Sequence, residues 1–137
     1  MALSASNIVH EHSARFMTPR HDVNRLVARG FGATLIVVGV AGFVIPPKKA
    51  LTSGAPAYNI FHLFFGAAGI AASRRHVTAR AFNIGFGAID LYQAVASRRG
   101  LFPHRWFRWR TTDDVLHVVI GAGLVAAGMI RSAGRGE

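Results

Sequence analysis

Four apolar runs, at residues 26–46, 56–73, 77–97 and 112–130, dominate this chain. Each is about 17–21 residues long, close to the ~20 that a helix needs to cross ~30 Å of hydrocarbon. They are rich in Gly and Ala and lack the strict alternation of barrel strands, so helices are expected. Helices that are apolar all round could also be the core of a large soluble protein. A chain of 137 residues is too short to cover four of them. The sequence therefore predicts an all-α, four-helix transmembrane bundle. Residues 1–25 would form an N-terminal extramembrane surface arm, 26–131 the membrane domain and 132–137 a C-terminal tail.

The second and fourth runs are near copies. NIFHLFFGAAGIAA at 59–72 aligns without a gap on DVLHVVIGAGLVAA at 114–127, at an offset of 55. His62 falls on His117, Gly66 on Gly121 and Asn59 on Asp114. A weaker match joins the first and third runs, Ala28-Arg29-Gly30-Phe31 on Ala79-Arg80-Ala81-Phe82. The repeating unit is thus a helical hairpin used twice. Two copies with the same topology are related by a pseudo-twofold axis along the membrane normal. That symmetry puts both histidines near the same membrane face.

The charge pattern agrees with a bilayer. A net charge of +10 would suit nucleic acid, but the Arg and Lys residues flank the apolar runs, where lipid phosphates are the natural partners. Arg105, Trp106, Arg108 and Trp109, in the connection at 101–110, interleave aromatics with cations as an interfacial anchor does. Nine basic residues lie on the side of the termini and second loop, and seven on the side of the first and third loops. The positive-inside rule then places both termini in the cytoplasm. Residues 1–25 have neither the apolar core nor the cleavage site of a secretory signal.

Few residues offer chemistry. The absence of cysteine removes thiolate sites and thiol catalysis. His62 and His117 each begin a stripe that continues through a glycine one turn on. A polar stripe inside a membrane must face another helix, water or a ligand. The simpler occupant is a neighbouring helix, because small residues allow close approach. The alternative is a planar cofactor, haem or a chlorophyll-type pigment, with His62 and His117 as axial ligands. Asn59 and Asp114 sit three residues earlier, where helix capping is the expected role, with Thr111, Thr112 and Asp113 as the other capping candidates of the fourth run. Asp90 lies mid-run, and a lone carboxylate at that depth needs a partner. An interhelical hydrogen bond is favoured there over proton or ion conduction, since the other helices bring no matching acid. His10-Glu11-His12 is too small a set for a metal site. No nucleophile–base pair or phosphate loop emerges, so no enzyme is predicted.

The segments NIFHLFFGAAGI, AR-AF…GFGAIDLYQA and TTDDVLHVVIGAGLVAAG resemble a bacterial family of small four-helix membrane proteins of uncharacterised function. Its members show Asn-x-x-His in the second helix and Asp-x-x-x-His or Asp-x-x-His in the fourth. The resemblance covers 26–130 and carries to Asn59, His62, Asp114 and His117. Asp90, where an apolar residue is expected, and the basic 1–25 extension depart from it. The resemblance implies a bacterial inner or photosynthetic membrane. Together these readings predict an accessory subunit of a larger membrane complex, respiratory or photosynthetic, with lipid and other integral subunits as partners and no nucleic acid.

Overall fold

The computed structural model describes residues 22–46, 48–101 and 104–130. The expected arm at 1–25 therefore lies outside the described residues except for its last four. The tail at 132–137 lies wholly outside them. Four long helices make up the described chain: α1 (Val23–Val44), α2 (Pro56–Ala72), α3 (His76–Arg98) and α4 (Thr111–Met129). A single helical turn, His104–Phe107, lies in the connection before α4. No strand occurs among the described residues. α1 and α4 are long and apolar enough to cross a membrane.

Local chemistry sets the helix starts. Asp22 caps α1 by accepting the Arg25 N–H at 3.3 Å. Pro56 is the first residue of α2, where its missing N–H costs nothing and its fixed φ suits the helix. Pro46 follows α1 and has no N–H with which to continue the hydrogen-bond ladder. Gly54 turns the chain back with φ +64°.

α1 packs closely against α2, and α3 against α4, forming two antiparallel hairpins. Glycines set the approach. A Cβ on Gly32 would stand 2.7 Å from the Gly66 carbonyl oxygen, and one on Gly66 equally close to the Gly32 carbonyl. In the second hairpin, Gly87 and Gly121 repeat this contact at 2.7 and 2.8 Å. Arg25 Nε donates to the Ser73 carbonyl at 2.9 Å, and Arg80 Nε to the Gly128 carbonyl at 2.9 Å. Each guanidinium thus meets a carbonyl at the C-terminal end of the partner helix.

These pairs correct the register of the weaker repeat. Arg25 corresponds to Arg80, Phe31 to Phe86 and Gly32 to Gly87, so the offset of 55 holds for both helices of the hairpin. The match of Ala28 to Ala79 is four residues out. The hairpins meet mainly through α1 and α3, where Phe31 and Phe86 lie 5.5 Å apart between ring centroids. Asn83 donates to both the carbonyl and the side-chain oxygen of Asn24 at 3.1 Å.

The distribution of polarity is inverted. The largest fully buried side chains among the described residues are Asn24, Asn59, Asn83 and Asp113. Beyond a small core of Leu35, Phe86 and Leu124, many large apolar side chains point outward, with Val37 66%, Phe64 67% and Val119 65% exposed.

Candidate functional site

The repeat brings its polar residues together at the end of the bundle that carries the α1–α2 and α3–α4 connections. Tyr58 starts the buried face of α2 and Asp113 that of α4, and the two are repeat equivalents. The Tyr58 hydroxyl donates to Asp113 Oδ1 at 3.2 Å. One turn farther in stand His62 and His117, both buried. His62 Nδ1 lies 2.7 Å from the Tyr58 carbonyl. A carbonyl only accepts, so Nδ1 carries the hydrogen, which leaves Nε2 as the acceptor nitrogen of the neutral ring. The Tyr58 ring lies over His62 with centroids 4.0 Å apart. His117 is covered by Trp109 at 5.2 Å, and its Nδ1 is buried without a hydrogen-bond partner.

The glycines beside these histidines face helices. Gly66 abuts α1 at Gly32, and Gly121 abuts α3 at Gly87 and Asp90. The space one turn from each imidazole, which a haem or chlorophyll ring would need on that face, is filled by backbone.

Asp90 is buried on α3, where a Cβ on Gly121 would stand 3.0 Å from its own Cβ. It makes no hydrogen bond or ion pair among the described residues. The interhelical partner expected for it is not found there. Gln93, one turn on, is also buried, with Oε1 unpartnered.

One of the two adjacent capping candidates of α4 takes the role, and the cap expected at Asn59 does not. Asp113, not Asp114, closes the start of α4 by accepting the Arg110 N–H at 2.8 Å. Asp114 Oδ2 lies 3.8 Å from Arg98 Nε, and its Oδ1 is buried without a partner. Asn59 is not a cap, because Pro56 starts α2 three residues earlier. Its amide donates to the Gly54 carbonyl at 3.3 Å and lies flat on Gly42.

The interfacial segment divides. Trp106 is exposed, Arg108 is exposed with φ +46°, and Trp109 turns inward onto His117. The side chain of Arg105 lies outside the described residues. The segment is tied to the first hairpin, with Arg110 Nη1 donating to the Ala50 carbonyl at 2.6 Å and the Ser53 hydroxyl to the Phe107 carbonyl.

Sequence reasoning missed Tyr58 and the roles of Arg25 and Arg80, and held Asp113 only as a capping alternative to Asp114. The signal for them was present: extending the histidine repeat by one residue pairs Tyr58 with Asp113. Carrying the same offset into the first helix pairs the arginines. Fold and site define an all-α protein of two repeated hairpins around a buried polar cluster. The chain belongs to the family described as Domain of unknown function (DUF4383), whose profile matches residues 25–130. No curated protein and no solved structure matches it.

Proposed function

We propose that this chain is an integral membrane protein with all four long helices in the bilayer, serving without enzymatic activity as an accessory subunit of a larger membrane complex. The observation that carries this reading is the inverted polarity, with Asn and Asp side chains inside and Val, Phe and Ile outside. In water that arrangement would leave a large apolar surface exposed; in lipid it matches the solvent. The lower apolarity of α3 has the same origin. Asn83, Asp90 and Gln93 turn inward, while Val77, Ile89, Tyr92 and Val95 face out.

Docking in a complex is supported by the outer glycines. Gly30, Gly85 and Gly123 have nothing within 4 Å of where a Cβ would stand, and small outward residues let another membrane helix approach. Bioenergetic complexes of a bacterial inner membrane carry small subunits of this kind, and basic flanks favour cytoplasmic termini.

The natural absence of cysteine makes the embedding directly testable. Single cysteines replacing Val37, Phe64, Val95 or Val119 should resist a water-soluble maleimide in intact membranes, whereas Leu51→Cys and Arg99→Cys should react. Labelling of Phe64→Cys and Val95→Cys as fast as Arg99→Cys would sink the four-span reading. Isolation in mild detergent tests the second half. Other integral subunits should co-purify, and a stable solitary monomer would count against a complex.

A further inference from the structure

A cavity of about 370 Å³ opens where α1 ends and the chain turns back into α2, within the size range of ligand pockets. Its wall includes Gly42, Phe43, Val44, Gly54 and Asn59 from the first hairpin and Arg108 from the other. Sequence leaves this wall short of donors. Phe43 has Pro46 and Pro47 at the third and fourth positions after it, and neither has an N–H to give. Gly42 has Pro46 at the fourth, while the Ile45 N–H goes to Ala41. Asn59 is 1% exposed; its amide nitrogen donates to the Gly54 carbonyl, and its Oδ1, pressed against Gly42, has no partner.

Arg108 is the only charged residue on this wall among the described residues. It forms no ion pair or hydrogen bond among them. Its φ of +46° is a conformation that L side chains rarely adopt, and such strain gathers where a ligand is clamped. The rim is apolar and outward, with Phe43 and Val44 exposed.

We infer that this cavity is a site for one glycerophospholipid whose headgroup carries hydrogen-bond donors. The phosphate pairs with Arg108, an ammonium or glycerol hydroxyl serves the Gly42 and Phe43 carbonyls, and the acyl chains lie along Phe43 and Val44. A single cation, bare carbonyl acceptors and an apolar rim together fit such an amphiphile and neither an anion nor a hydrocarbon alone. The inference rests on the membrane reading above.

Native mass spectrometry of the full chain released from micelles tests it, with phosphatidylethanolamine, phosphatidylglycerol and phosphatidylcholine added in turn. One ethanolamine or glycerol lipid should be retained per chain, at least about tenfold more tightly than the choline lipid. Arg108→Gly should weaken retention by about tenfold or more without lowering the melting temperature, since glycine accepts the positive φ. Arg108→Lys should keep most of it. Equal retention of all three lipids, or undiminished retention by Arg108→Gly, would overturn the site. Inorganic phosphate raising the melting temperature as much as lipid does would reassign it to a free phosphate. Maleimide labelling of Phe64→Cys and Arg99→Cys introduced into Arg108→Gly reports insertion separately, so failure of the lipid site and failure of the membrane reading give different results.

Discussion

Gly66 and Gly121 occupy positions where a single methyl group decides whether two helices touch. In Gly66→Ala the new Cβ would meet the Gly32 carbonyl and Ile36 Cγ1, both at 2.7 Å, so the helices must part. A loss of about 1–3 kcal/mol is expected in detergent unfolding. Gly30→Ala meets nothing within 4 Å and should be neutral or gain up to about 1 kcal/mol from helix propensity. Equal losses in the two variants would show that close approach is not what these glycines provide. Tyr58 poses a different question, because its hydroxyl is the buried donor to Asp113 Oδ1. Tyr58→Phe should cost about 1–3 kcal/mol by stranding that oxygen. Asp113→Asn, whose one amide oxygen can accept from the Arg110 N–H while its NH2 donates to the Tyr58 hydroxyl, should cost less in the same unfolding measurement.

At the scale of the helix, Arg25 and Arg80 perform one task twice. Each reaches a carbonyl at the end of the partner helix at 2.9 Å. Arg25→Met and Arg80→Met should therefore lower stability by similar amounts, about 1 kcal/mol each for a partly solvated charged hydrogen bond. The double variant should be additive, since the sites lie in different hairpins. A large difference between the single variants would break the equivalence. The hairpin repeat was legible because His62 and His117 interrupt apolar runs that carry no other landmark. Its first-helix register was not. Gly- and Ala-rich stretches match at several offsets, and Ala-Arg-x-Phe occurs by chance four residues from the true alignment. Capping was hard to read for a geometric reason. Asp113 and Asp114 are adjacent, and which one closes the helix depends on a start that shifts by a single residue. At α2, the proline that fixes the start was visible, and it moves the cap away from Asn59 to Ala55.

Across the whole molecule, the closest packing lies within each hairpin, while the hairpins meet along a seam of aromatic and amide contacts. Co-expressed halves, 1–74 and 75–137, should therefore reassemble in the membrane, with a tag on one half retaining the other on an affinity column. Failure to co-elute would mean that the short turn between α2 and α3 is needed to hold the seam. The inverted polarity could be foreseen only in part. Composition marks the runs as apolar, but it does not say that Asn24, Asn83 and Gln93 all turn inward. That follows from the packing of four helices around one axis. The contact between Tyr58 and Asp113 has a consequence for how such a molecule can arise. Two identical hairpins paired by a true twofold would set tyrosine against tyrosine there, or aspartate against aspartate. Neither matches a donor to a charged acceptor as the observed pair does. Joining both copies in one chain allowed each half of the contact to change separately, which separate identical subunits could not do.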